Sequence, residues 1–452
     1  MMEPYRKLSS IMEKGSGSVK NRYISQPVKL LWAMRSAIGK TAVILPSAFM
    51  VEIAIGMASL GLIFYMRDVQ GLKPAGVGWF AAVWMMCYVC GCLSLHPVMA
   101  RILPRYGMIA ATLLMGSCIA GILLSGSVVL SFVFYGIFGL GMSFFWPPLM
   151  GWVSFDVEGT ELGKALSRLT SFSSIGVILS PFLAGTLSDF SPYLPLYCSV
   201  SLFVITACLL AGASLALPRI RGDSQREKVE AAENGERDEH GGEHGENDLN
   251  EASGNKNNQG TLIRYPAWIG LFGTYTVFGV ILNIFPMYAR SELGISKSAI
   301  GTLLLVRAIG AACGYFMAGR TSVWHFRPVP MITGLFLMAV DILLLPWARS
   351  MVQLAVLMIV FGLLHSMSFS YSFFHGVTGT SRRSRRMAIH EALLAAGIIT
   401  GSTIGGMIYQ NASLRAVSLF CAGLGVVVIS AQVVLSVSAV RREGNRRAQP
   451  SP

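Results

Sequence analysis

Twelve apolar runs dominate the chain: 41–66, 76–100, 107–125, 127–152, 165–188, 193–217, 265–289, 298–319, 328–348, 351–375, 387–409 and 413–439. About 20 apolar residues in a helix cross a bilayer. The pattern predicts an all-α membrane protein of twelve transmembrane helices. Most interruptions are short, and one is not. Pro218–Arg264 is rich in Glu, Gly, Asn and Asp, and from Asp223 to Glu251 it holds eleven acids against Arg226, Lys228 and Arg237. A segment so poor in apolar residues cannot bury enough surface to fold, so it is expected to be a disordered linker. The chain divides into a basic segment (1–40), a six-helix bundle (41–217), the acidic linker (218–264), a second six-helix bundle (265–439) and a basic tail (440–452). Lys29-Leu-Leu-Trp-Ala-Met-Arg35 reads as a short interfacial helix ahead of the first span. No cleavable signal peptide is visible.

Composition narrows the function. Hydrophobic residues make up 53% and charged residues 13% of the 452, and mean hydropathy is +0.57. A soluble domain carries about 25% charged residues, so soluble enzymes and secreted disulfide scaffolds are excluded. The net charge of +13 does not imply nucleic acid, because the basic residues sit between apolar runs, where they orient helices. With a cytoplasmic N-terminus, the inside loops hold Arg101/Arg105, Lys164/Arg168, Arg320/Arg327 and the cluster Arg382, Arg383, Arg385, Arg386. The outside loops hold only Arg67/Lys73, Arg290/Lys297, Arg349 and Arg415. Both termini and the linker are therefore placed on the cytoplasmic side, in the plasma (inner) membrane.

The eight cysteines all fall in apolar runs. Cys87-x-x-Cys90 reads as small buried side chains, and His240/His244 as part of a solvated linker, so no metal site is expected. Nor is a phosphate-binding loop or a Ser/His/Asp set present. The sequence implies no cofactor and no enzyme.

An internal repeat carries most of the remaining information. Tyr65-Met-Arg67-Asp-Val-Gln-Gly71-Leu recurs as Tyr288-Ala-Arg290-Ser-Glu-Leu-Gly294-Ile, a shift of 223 residues. The same shift takes Gly78, Cys90 and Gly91 to Gly301, Cys313 and Gly314, and Phe138-Gly139-Leu140 to Phe361-Gly362-Leu363. A duplicated unit with an even number of spans gives two parallel halves, one architecture of secondary transporters.

The fifth span reads Gly176-Val-Ile-Leu-Ser180-Pro181-Phe-Leu-Ala184-Gly185, and the eleventh Gly397-Ile-Ile-Thr-Gly401-Ser402-Thr-Ile-Gly405-Gly406. These resemble the G-x-x-x-G-P-x-x-G-G motif of the major facilitator superfamily. The resemblance covers nearly the whole chain. It implies a pivot at which small residues bring helices of opposite halves together and a proline bends one of them. It also implies a central cavity lined by helices 1, 4, 7 and 10. The family's G-x-x-x-D-R-x-G-R loop is replaced by His96-Pro-Val-Met-Ala100-Arg101-Ile-Leu-Pro104-Arg105 and by Gly319-Arg-Thr-Ser-Val323-Trp-His-Phe-Arg327. Without the acid, gate latching falls to Arg101 and Arg105 acting on helix ends. Tyr135 stands near the place of the helix-4 arginine found in proton-coupled exporters.

Ionisable residues within spans are functional candidates by default. Glu52 lies near the middle of the first span, as a proton carrier or the partner of a cationic group. Arg307 is the one arginine deep in a span and needs an acid. Asp341 and Arg307 lie at about 12 and 15 Å from the outer edge and Glu52 at about 22 Å. Depth favours a structural Arg307–Asp341 pair, with a switching Arg307–Glu52 pair as the alternative. His365 begins the hydroxyl-rich His365-Ser-Met-Ser-Phe-Ser-Tyr371-Ser, a surface for protons or a polar solute. Tyr275, at the shifted position of Glu52, joins Thr276 and Asn283 as expected cavity residues. Trp146, ahead of Pro147-Pro148, is an interface anchor or a cavity wall. His390-Glu391 reads as a snorkelling or gate pair.

The expected function is secondary active transport of a small solute by alternating access. Protons are the candidate coupling ion, with a lean to export and a monomer as the working unit. The alternative is a transporter-shaped scaffold, sensor or assembly factor that no longer transports.

Overall fold

The computed structural model describes residues 25–95, 102, 104–146, 148–149, 159–216, 263–378 and 383–448. Twelve principal helices are found among them. The first six are α1 (Ser25–Asp68), α2 (Pro74–Ser94), α3 (Pro104–Ser125), α4 (Val128–Ser143), α5 (Gly159–Phe190) and α6 (Leu194–Ala216). The second six are α7 (Arg264–Asn283), α8 (Lys297–Arg320), α9 (Pro328–Leu344), α10 (Met351–Val377), α11 (Arg383–Asn411) and α12 (Leu414–Ala448). A short helix, Phe285–Ser291, continues α7. Eleven helices are long and apolar enough to cross a membrane, and the protein is an integral, multi-pass membrane protein. Ala216 and Arg264, which flank the linker, lie at the same end of the bundle as the start of α1 and the end of α12. We call this end proximal and the opposite end distal. Arg101, Pro147 and all of the linker expected at 218–264 except Ile263 and Arg264 lie outside the described residues; Arg264 already belongs to α7.

Several boundaries differ from the sequence pattern: α2 stops at Ser94, the run 265–289 is divided into α7 and its continuation, and α12 runs to Ala448, into the expected tail. Two differences have a plain cause. The run 127–152 does not form one helix: α4 stops at Ser143 after 16 residues, about 24 Å. Its last turn tightens, Phe144 N donating to Gly141 O and Phe145 N to Met142 O. The cause lies ahead in the sequence. Pro147 and Pro148 have no N–H to give to the carbonyls of Ser143 and Phe144, and their rings clash there. In the other direction, 29–35 is not a separate interfacial helix but part of the continuous 44-residue α1. Nothing between Ser25 and Pro46 breaks the helix, and Pro46 itself is tolerated. Just beyond it, Ser47 Oγ donates to the Val43 carbonyl at 2.7 Å, whereas the carbonyl that loses its donor at Pro46 is that of Ala42.

The duplication is legible in backbone geometry. Gly71 (φ 67°) and Gly294 (φ 66°), offset by the same 223 residues, close α1 and the α7 continuation in the left-handed region. Leu72 N bonds Met66 O and Ile295 N bonds Ala289 O. In both copies the residue after the glycine folds back to a carbonyl of the last helical turns, and a side chain other than Gly would be strained at that φ.

Packing explains the small-residue motifs and corrects their expected role. A Cβ on Gly176 would meet Phe49 O and the Glu52 Cβ, and one on Gly56 would strike Ser180, so Gly176 and Ser180 seat α5 on α1. Likewise Gly397, Gly401 and Gly405 seat α11 on α7, against Phe272 O, Thr276 O and Val280. These contacts lie within each half, not between halves. The other face of each motif crosses over. Pro181 O and Gly185 press on Gly301 and Lys297 O of α8, while Ser402 O and Gly406 press on Gly78 and Pro74 O of α2. Each motif helix is therefore a two-sided spacer, with one backbone contact inside its own half and one to the opposite half. The cluster of Ile53, Met57, Leu60 and Phe64 with Val277, Ile281, Leu303 and Leu304 carries the apolar core across the same interface.

Candidate functional site

The distal ends of the two halves are latched by polar groups. Lys297 Nζ lies 2.6 Å from Asp68 Oδ2, and Arg67 Nη1 donates to Met287 O at 2.8 Å. Asp189, at the end of α5, accepts from Lys297 N at 2.9 Å and Ser298 N at 2.8 Å. Ser296 Oγ accepts from Ala299 N. The first three N–H groups of α8 are thus satisfied, two of them by a carboxylate from the other half. A weaker copy exists on the other side of the pseudo-axis. The α2 N–H that follows Pro74, that of Ala75, donates to Gln410 Oε1 of α11 at 3.2 Å. An acid in the last turn of α5 opposes its own helix dipole. The α8 N-terminus supplies the favourable field that makes this placement stable.

In the interior, the N-terminal half presents Glu52. Ser173 Oγ of α5 donates to Glu52 Oε1 at 3.2 Å. Tyr88 of α2 lies within electrostatic range of Glu52, of Cys92 and of Glu391 on α11. Glu391 therefore approaches the α2 face of the other half. Its neighbour His390 does not snorkel as expected: it is fully buried in the α10–α11 seam, with Nδ1 2.9 Å from Ser372 Oγ and its ring 4.9 Å from that of Phe369.

The C-terminal half presents a buried stack. The His365 ring lies 4.5 Å from Phe278 and nearly parallel to it, and 4.8 Å from Tyr275. The Arg307 guanidinium lies over Phe278, 5.0 Å from the ring centroid. Arg307, His365 and Tyr275 are each 5% exposed. The pair expected between Arg307 and Asp341 is not formed, and neither is the alternative with Glu52. The ion pair that joins the halves is instead Lys297–Asp68, at the distal end. The electrostatic neighbours of Arg307 are the phenols of Tyr315 and Tyr275. Depth along the bilayer matched Arg307 to Asp341, but α9 packs on α10 and α12, which places Asp341 on another sector of the bundle.

Several other sequence candidates serve packing. Asn283 Nδ2 donates to Ser402 Oγ at 2.8 Å, tying α7 to α11 behind the α2 contact. Tyr371 turns away from His365 and packs at 4.9 Å on Trp324. The serines around it are engaged: Ser366 and Ser370 bond backbone carbonyls, Ser368 bonds Thr274 and Ser372 bonds His390. The expected hydroxyl surface is therefore mostly a helix seam. Trp146 sits beyond the end of α4, edge-on to Phe145 at 5.4 Å. Arg105 lies over the Tyr106 ring at 4.9 Å. Cys90, Cys208 and Cys313 are exposed on helix surfaces rather than buried.

A cavity of about 540 Å³ opens at the proximal ends of α8 and α10. Tyr315, Arg320, Trp324, His325, Phe369 and Phe374 are among its walls, and none of its lining residues is acidic. Sequence reasoning missed this cavity, the Asp189 cap and Tyr88. The cap had one visible signal, an acid at the wrong end of a helix.

The family model of the Major Facilitator Superfamily matches residues 44–258 and 267–452. Among curated proteins, none matches the chain. Among solved structures, the nucleoside transporter NupG is similar in fold: TM-score 0.66 at 14% identity, over 88% of this chain and 98% of that one. A point mutant of the same transporter gives 0.63 at 14% identity, over 88% and 99%.

Proposed function

The chain belongs to the major facilitator superfamily, and from that premise we propose that it is a secondary active transporter of a small solute. Its halves rock about the α2–α11 and α5–α8 seams, and Glu52 carries the coupling proton. One observation supports this reading most. The halves meet backbone to backbone through glycines, with a polar latch at the distal end. That is the arrangement expected of a bundle resting with its distal side closed. Glu52 suits coupling because a carboxylate withdrawn from water is costly as an anion. Its one hydrogen-bond donor, Ser173, sits on the helix that touches the other half. In this reading both termini and the linker are cytoplasmic, the distal end faces outward, and the membrane is the plasma (inner) membrane.

The experiment is solute flux into proteoliposomes under an imposed pH step, with a panel of organic acids, amines, sugars and nucleosides. Wild-type protein should concentrate one class, and Glu52→Gln should lose uphill movement while retaining exchange. Uphill movement by Glu52→Gln at the wild-type rate removes Glu52 from coupling. Failure of every solute under every gradient turns the reading to the scaffold. Sidedness has its own check: reporters fused at residue 240 should read cytoplasmic and at residue 291 external. The reverse pattern inverts the orientation.

A further inference from the structure

We infer that the transported solute carries a carboxylate, which Arg307 binds as its missing counter-ion. This rests on the transporter reading and names its substrate class.

The argument begins with an unbalanced charge. A guanidinium in the middle of a membrane helix is costly and persists where something pairs with it. Arg307 is 95% withdrawn from solvent, and its Nε has no hydrogen-bond partner. No carboxylate of the described residues forms an ion pair with it, and its electrostatic neighbours are phenols. Beside it, His365 is equally buried, and both of its ring nitrogens lack a partner. Phe278 cannot serve as a platform for the solute, because it already has His365 stacked on it and Arg307 over it. Its role is to fix the fork of the guanidinium. A fixed fork is the geometry that matches a planar oxyanion through two parallel hydrogen bonds.

The proximal cavity has the matching sign. Tyr315, one of the two phenols within electrostatic range of Arg307, is among its walls, and so is Arg320, with no acid among the lining residues; such a field gathers anions and repels cations. Arg307 itself offers one positive charge, which favours a monocarboxylate over a phosphate dianion.

The test uses the full-length protein in detergent and follows its melting temperature. The probes are benzoate and propionate against benzamide and propionamide, with inorganic phosphate and sodium chloride at matched ionic strength. At least one carboxylate should raise the melting temperature by about 2 °C or more, and its amide should not. Arg307→Gln should abolish that shift, and Arg307→Lys should weaken it. Empty Arg307→Gln should melt no lower than wild type, because it removes a buried charge that has no partner. Equal stabilisation by acid and amide overturns the assignment. So does the absence of any carboxylate effect, or an empty Arg307→Gln that melts several degrees lower or fails to fold. Failure of the broader reading looks different: carboxylates would bind through Arg307 while no solute moves in vesicles.

Discussion

Gly301→Leu is expected to hold the distal ends of the two halves apart and to stop transport without loss of insertion. Even a methyl group at this position would strike the Pro181 carbonyl and crowd the Gly185 backbone. Neither is a side chain that can rotate away. Overpacking costs about 1–3 kcal/mol in a core that can partly repack, and here the obstacles are backbone. A cost in that range, levied on the distal-closed state alone, shifts the population by roughly 5–150-fold. Gly78→Leu should act alike at the other seam, where it meets Ser402 O. Gly212→Leu is the control, since nothing lies within 4 Å of a Cβ placed there. Spin labels at Val69 and Ser298 should report longer distances in Gly301→Leu and an unchanged distribution in Gly212→Leu. Unchanged distances in Gly301→Leu would mean that the seam is not what closes the distal end.

The helices and their duplication were legible because they rest on local rules. Apolar runs of bilayer length, turn glycines at a constant offset and two copies of a small-residue motif each constrain the backbone without reference to distant partners. Pro147-Pro148 carried the end of α4 in the same local way, although a hydropathy window ran past it. Partners between elements were not legible. Asp341 and Arg307 match in depth, yet depth leaves rotation about the bundle axis open, and α9 faces the wrong sector. Gly397 and Gly401 read as contacts between halves, whereas they face α7 and only their neighbours Ser402 and Gly406 reach α2. A helix has several faces, and a motif string does not say which face meets which helix. Glu52, Tyr275, His365 and Arg307 stand in the interior as their burial cost implied. Tyr371 is buried too, but against Trp324, and Asn283 is engaged with Ser402, because hydroxyl and amide groups at helical spacing serve helix seams as readily as solutes.

The second large effect is expected at the distal latch. Asp189→Ala removes two hydrogen bonds from a carboxylate to the first N–H groups of α8 together with the charge that faces its dipole. Hydrogen bonds to a charged group contribute about 1.5–3 kcal/mol each in favourable settings, and a charge at an exposed helix terminus about 0.3–1 kcal/mol. Asp189 is exposed, so the two overlap and water compensates much of the loss, and about 1–2 kcal/mol is expected against the distal-closed state. Asp189→Asn keeps one acceptor oxygen and should fall between wild type and Ala. Gln410→Ala removes a single neutral bond at the opposite seam, for which about 1 kcal/mol is the scale. Lys297→Met should be additive with Gln410→Ala and not with Asp189→Ala. The ammonium that pairs with Asp68 and the amide that bonds Asp189 belong to one residue, and groups that share a partner couple. The same label pair at Val69 and Ser298 measures all of these. If Asp189→Ala and Gln410→Ala opened the distal end equally, the carboxylate cap would have no special part. Closure would then rest on the glycine seams alone.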